Sequence, residues 1–203
     1  ATLEVTRRLR VACFTTGDEL TEPGNELGDG KIYNSNRYLF NGLLQRLGCD
    51  VIDLGNIPDD YDATCKAIET AAASADLVLS SGGVSVGEED HVKNALDAMG
   101  ELELWRIAVR PGKPLAYGRV ADVPFIGVPG NPVSLFVTFS IFVRPFILKS
   151  MGMTDVTPQE FLMPSGFDWD RPDSRTEYMR ARIEQSADGN ALVSVYPSRS
   201  SGV

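Results

Sequence analysis

The sequence is short of the residues that most metal centres need. It has one histidine, His91, and three cysteines, Cys13, Cys49 and Cys65, with no C-x-x-C spacing. Zinc takes clustered Cys and His, so a zinc site is not expected. Three scattered cysteines fit a reduced protein whose thiols act as small buried hydrophobes. Positive charge is also scarce: 19 Lys and Arg against 28 Asp and Glu leave a net charge of −9. The deficit is spread along the chain, with 14 basic against 20 acidic residues up to position 150 and 5 against 8 beyond it. No basic footprint for a nucleic acid or an anionic membrane is present, and neither partner is expected. The only long apolar run, 133–148, is short for a bilayer span and ends on Arg144-Pro145, so a buried helix is expected there. No charged-then-apolar leader opens the chain, which points to the cytoplasm, and the start at Ala1 without Met suggests a piece of something longer.

What is present is a globular composition, 43% hydrophobic and 23% charged over 203 residues, enough for one large domain or two. Residues 10–15 form a short apolar run that stops at Thr16-Gly17. Leu39, Phe40, Leu43, Leu44 and Leu47 share one face of a helix over 35–47, with Gly48 where a terminating glycine belongs. The pattern continues with a strand at 50–57, a helix at 62–73, a strand at 77–80 and a helix at 92–99. Strands at 102–109, 115–119 and 124–128 follow, and a long helix over 133–149 closes the unit. Alternating strands and helices predict an α/β fold with a mainly parallel sheet covered on both faces. Residues 1–9 are a lead-in, and 10–152 form this domain. From 153 the texture turns loop-like, then 177–184 and 191–196 alternate around Asp188-Gly189, which reads as a hairpin. Met179, Ala181 and Ile183 share one face of its first strand. The segment 153–203 is expected to be a small β-domain, incomplete as it stands.

In an open α/β sheet ligands bind beyond the carboxyl ends of the strands. The connections entering strands, such as Gly48-Cys49, Ala75-Asp76 and Met99-Gly100, are short and bland. The loops leaving strands carry the unusual residues: Thr16 to Glu19, Pro58-Asp59-Asp60, Ser80 to Asp90, Arg110 to Pro114 and Pro129 to Pro132. The richest reads SSGGVSVGEED over 80–90. Its paired glycines let backbone N–H groups converge on an anion, with a helix start close behind. Three acidic residues beside an anion site are reconciled by a hard cation such as Mg²⁺, which takes one or two carboxylates and shares the ligand's phosphate oxygens. Asp90 is the better metal candidate, because Glu88 and Glu89 also suit a helix start. G-x-S-x-G at 83–87 does not make a hydrolase, since that chemistry needs a His base from another strand end and the one His, His91, lies six residues after Ser85. The loop is neither a dinucleotide fingerprint nor a phosphate loop, because Glu88 stands where Lys is required. Arg110 and Lys113, around Pro111-Gly112, bring positive charge to the same edge, and Pro132 is placed to open the last helix.

TGDEL at 16–20, Asn34-Ser35-Asn36, SSGGVSVGEED at 80–90, RPGKP at 110–114 and GVPGNPVS at 127–134 stand in one order over 10–150. Together they resemble the MoeA/gephyrin E-domain family, the molybdopterin molybdenumtransferases, and the resemblance extends through EYMRARIE towards Ser200-Ser201-Gly202. It implies a three-layer molybdopterin-binding, MogA-like core followed by part of a β-domain. The implied reaction is Mg²⁺-dependent insertion of molybdate into adenylylated molybdopterin with release of AMP. By motif, Glu19, Asp60 and Asp90 are implied as acidic catalytic residues, with Asp90 the metal ligand. Gly82, Gly83, Ser85 and Gly87 would hold phosphate. Arg110 and Lys113 would neutralise molybdate or the pterin phosphate, and Pro129 and Pro132 would shape the oxyanion pocket. The family carries further N-terminal domains and implies a homodimer of the full-length protein. Alternatives on the same core are a MogA-like molybdopterin adenylyltransferase, a CinA-like nucleotide hydrolase and a gephyrin-type scaffold or binding module. No TGGTG-like loop favours the first of these.

Overall fold

Residues 11 to 16 are buried without interruption, as a strand inside a two-faced sheet must be. This computed structural model describes residues 2–84, 90–170, 173–186 and 188–197. Strand β1 (Arg10–Thr16) leads to the two-residue strands β2 (Leu20–Thr21) and β3 (Ile32–Tyr33), which pair with each other over the sheet edge. Helix α1 (Ser35–Arg46), β4 (Asp50–Ile57), α2 (Tyr61–Ser74), β5 (Leu77–Ser81) and α3 (His91–Met99) follow. Then come β6 (Gly100–Arg106), β7 (Val109–Arg110), β8 (Pro114–Val120), β9 (Val123–Val128), α4 (Pro132–Thr138), a π-helical stretch (Phe139–Val143) and α5 (Arg144–Ser150).

The main sheet has the order β4-β1-β5-β9-β8-β6. Its first four strands are parallel and its last two pairings antiparallel. The reversal is local chemistry: Ala121 and Asp122, at φ 47° and 65°, form a two-residue turn that joins β8 to β9 as a hairpin. Period-two alternation sorts β1 into two cores. Val11 and Cys13 face Phe40, Leu44, Leu135, Phe139 and Ile147 of α1 and the last helix. Ala12 and Phe14 face Ile68, Ala71, Val92 and Leu96 of α2 and α3. Leu44 and Phe40 lie four apart on one face of α1, and Gly48, at φ +79°, ends that helix as expected. Cys13 and Cys49 are buried as apolar filler, and burial pushes the Cys13 thiol up to about 12.

Three expectations are corrected. The helix over 133–149 is not uniform. Pro145 has no N–H to give and its ring would strike the carbonyl of Ile141, so the turn before it widens over Phe139–Val143. Its buried side chains include Leu135, Phe139, Val143 and Ile147, while Phe136 and Phe142 are exposed. The strand over 102–109 ends at Arg106, because the Ile107 N–H donates to the Lys113 carbonyl and turns the chain out of the sheet. Val109–Arg110 then pairs in parallel with β10 (Thr176–Glu177). The strand over 177–184 is likewise split. The Tyr178 N–H donates to the Arg110 carbonyl, whereas the Arg180 carbonyl accepts from Tyr196. The chain therefore leaves one ladder for the hairpin of β11 (Ala181–Gln185) and β12 (Ala191–Val195), turned by Gly189 at φ +77°. Ala181 and Ile183 are exposed, because among the described residues no layer covers β11.

Candidate functional site

With β8 the one reversed strand of the main sheet, the loops after β1, β4, β5, β6 and β9 all leave the same edge. The first three and the last enclose a cavity of about 710 Å³, of the size that holds a small cofactor. Its floor is the turn after β5. Gly82 and Gly83 sit at φ +92° and +62°, a conformation that L side chains rarely adopt. A Cβ on Gly82 would fall 2.6 Å from the Thr16 carbonyl oxygen, and one on Gly83 would fall 2.5 Å from Val92 Cγ2. The expected anion cradle needs one correction. The Gly82 N–H is spent on the Val128 carbonyl at 3.3 Å, so Gly82 contributes by its missing side chain rather than by a donor. Ser85, Gly87, Glu88 and Glu89 lie outside the described residues, as does Ser200-Ser201-Gly202.

Asp90, buried at 5% exposure, lines the cavity and caps α3, its Oδ1 accepting from the Lys93 N–H at 3.1 Å. Glu19 stands exposed at the rim, its carboxylate folded over Gly17, where a Cβ would lie 2.5 Å from Oε2. Asp60 does not reach the cavity. It caps α2 through Ala63, as expected of an acidic residue just before a helix, and Asp59 lines the cavity instead. Asp59 Oδ2 accepts from the Asp18 N–H at 3.2 Å, and Asp18 Oδ1 accepts from the Asp59 N–H at 3.1 Å. This reciprocal pair ties the loops after β1 and β4, and no local sequence pattern signals it because its partners are loop aspartates 41 positions apart.

Pro129 is buried in the cavity wall, and the Ser81 hydroxyl donates to its carbonyl at 3.3 Å. Pro132 opens α4 as expected, but Asn131, the cap of that helix, and Ser134 line the cavity rather than Pro132 itself. Arg110 and Lys113 are corrected more sharply. Arg110 pairs with Asp173 at 3.1 Å and Glu177 at 3.7 Å in a second cleft of about 320 Å³. Trp169, Tyr178 and Tyr196 also line this cleft, which shares Asn131 and Ser134 with the first. Lys113 is exposed and lines neither. Physically, the two carboxylates of the C-terminal segment capture the guanidinium that the sequence placed at this edge.

Among the described residues the larger cavity is thus lined by Asp18, Glu19, Asp59 and Asp90 and by no Lys or Arg. Lys31 reaches the Asp18 carbonyl from outside at 2.7 Å. Two polar atoms of its walls, Thr16 Oγ1 and Asn36 Oδ1, are buried without a hydrogen-bond partner. Each such atom costs roughly 1–3 kcal/mol, a cost that functional sites more often carry than plain cores. No three His, Cys, Asp or Glu side chains come together as a metal cage among the described residues. The donor set therefore suits a hard cation held by one or two carboxylates and completed by ligand oxygens.

Residues 12–149 match the family described as "Probable molybdopterin binding domain". A molybdopterin molybdenumtransferase of Haemophilus influenzae is 49% identical over 146 residues, which take in 72% of this chain and 36% of that protein. One of Staphylococcus aureus is 30% identical over 194 residues, 95% of this chain and 46% of its own. A solved molybdopterin biosynthesis MoeA protein of Pyrococcus horikoshii superposes with a TM-score of 0.72 at 26% identity, covering 94% of this chain and 46% of that one. The chain spans less than half the length of these relatives. On the match over 12–149, which takes in every loop of the cavity, the chain belongs to the molybdopterin binding domain family.

Proposed function

We propose that this chain carries the ligand-binding part of an enzyme of molybdenum cofactor assembly. The reaction is insertion of molybdate into the dithiolene of adenylylated molybdopterin, with Mg²⁺, releasing AMP. One observation carries the reading: a left-handed glycine turn and a buried carboxylate, Asp90, meet in a cavity whose described lining holds no Lys or Arg. An anionic phosphate ligand in such a cavity requires a cation between it and the carboxylates.

Asp90 and Glu19 would hold Mg²⁺, which when bound supplies Lewis acidity and a template for phosphate and molybdate oxygens. The chain's own residues act by positioning. Gly82 and Gly83 let the backbone approach the phosphate, Thr16 backs that turn, and the Asp18–Asp59 pair fixes the rim. Pro129 gives a rigid wall, and Pro132 sets the start of α4. Holding reacting groups in register is worth orders of magnitude in rate, so residues 1–203 alone should bind ligand without turning it over. Residues 10–152 act as the binding domain and 153–203 as part of a β-domain, in a cytoplasmic protein whose full-length form is a homodimer. Its ligands are small molecules, not nucleic acid or membrane.

Calorimetric titration of AMP tests this. Binding that requires Mg²⁺ and is lost with EDTA is expected, with no molybdate-dependent AMP release by this chain. Indifference to AMP, Mg²⁺ and molybdate would instead favour a scaffold.

A further inference from the structure

Asn36 is the second residue of α1 and is buried at 7% exposure, yet it takes no part in capping that helix, which Asn34 does through the Arg37 N–H. Its amide instead spans two loops. Nδ2 donates to Ser81 Oγ at 2.8 Å, on the residue before the glycine turn, and to the Gly130 carbonyl at 2.6 Å, in the opposite wall. The Ser81 hydroxyl passes the link on to the Pro129 carbonyl. The two walls are close here: a Cβ on Gly130 would lie 3.7 Å from Gly82 Cα. A carbonyl can only accept, so the amide nitrogen must face Gly130, and the orientation of the side chain follows. Both donor hydrogens are then used, and Oδ1 is left buried without a partner.

A residue kept only for stability would not carry an unmet acceptor at a helix position where alanine has better propensity. We infer that Asn36 is a positioning residue, which sets the spacing between the glycine turn and the Pro129–Gly130–Asn131 wall and so registers the groups that meet the ligand. The inference rests on the reading of this cavity as the phosphate site. It separates two quantities that a structural role would move together, since removing the amide relieves the buried acceptor while releasing both walls.

The test compares the 203-residue chain with Asn36→Ala, Asn36→Asp and Ser81→Ala. Thermal melting, AMP titration in Mg²⁺ and amide hydrogen exchange are measured for each. Asn36→Ala loses two hydrogen bonds while relieving one unmet acceptor, so it should melt within a few degrees of the parent, bind AMP about 10-fold more weakly and exchange faster only in 81–84 and 129–134. Asn36→Asp has the same shape but presents an acceptor to the Gly130 carbonyl, and should lose at least as much affinity. Ser81→Ala keeps the Gly130 bond and should cost about 3-fold. Parent-like affinity in both Asn36 variants, or a fall in melting and affinity together with faster exchange throughout α1, overturns the inference. If the parent itself binds no AMP, the phosphate reading falls. Exchange then decides alone: faster exchange confined to the two walls supports positioning, and unchanged walls refute it.

Discussion

The two clefts on this sheet edge share Asn131 and Ser134 but resolve their charges in opposite ways. In the smaller cleft Arg110 meets Asp173 and Glu177, and Arg175 also pairs with Asp173 at 2.7 Å. The Arg175 guanidinium, with its backbone N–H and Arg110, holds the Asp173 carboxyl well below the usual carboxylate range. Those pairs close on themselves and dock the C-terminal segment beside β7. In the larger cavity Asp18 and Asp59 each accept from the other's backbone N–H, and Asp90 accepts from the Lys93 N–H. Carboxylates locked in ion pairs make an attachment, whereas those lining the larger cavity, whose described lining has no Lys or Arg, suit the proposed cation.

The largest way to break this comparison is at the turn itself. Gly83→Val places a branched side chain at φ +62° against Val92, and should cost about 2–4 kcal/mol in stability and abolish AMP binding. Retained affinity, measured by calorimetry, would remove the glycine turn from the site. Next comes Asp90→Asn. Asn caps a helix about as well as Asp, so melting should stay close to that of the parent while AMP affinity in Mg²⁺ falls about 10-fold and its metal dependence disappears. Equal metal-dependent binding in the two proteins would exclude Asp90 as the metal ligand.

Arg110→Ala sharpens the contrast from the other side. Its pairs are partly exposed and worth at most about 1 kcal/mol each, so AMP affinity should stay within about two-fold while amides of 173–180 exchange faster. A loss matching that of Asp90→Asn would return Arg110 to the ligand site. The smallest effect lies at the far end of the sheet. Hydrogen bonds from Arg7, reinforced by the Arg10 N–H against the opposing effect of burial, hold the Asp76 carboxyl well below the usual range. A depressed folded value stabilises above the unfolded value, about pH 4, and the gain is lost as pH falls towards the folded one. Asp76→Asn should therefore melt a few degrees lower at pH 7, with a shallower acid decline and both clefts unaffected. Parallel acid declines in variant and parent would dismiss the clamp.

Much of this was legible from local pattern. The helix of 35–47 needed only its leucine stripe and Gly48, and the strand at 50–57 its apolar run. Cation capture was not legible, because Asp173 and Glu177 lie more than sixty residues from Arg110. The family resemblance implied Asp60 as a site residue, but a residue just before a helix is claimed by the nearest unpaired N–H. Asp76 looked bland in a two-residue connection, yet it receives Arg7 and Arg10 across the sheet end.

The sequence by itself determined the alternation of strands and helices, the edge on which the glycine- and proline-rich loops collect, and the motifs of its family. Periodicity and turn residues act over a few positions and need no knowledge of what lies opposite. Only the tertiary structure decided which loops face one another: Asp59 rather than Asp60 in the cavity, Arg110 diverted to a second cleft, and Asn36 bridging Ser81 to Gly130. Those outcomes depend on charges and hydrogen bonds meeting across the end of the sheet, at distances that chain order does not encode.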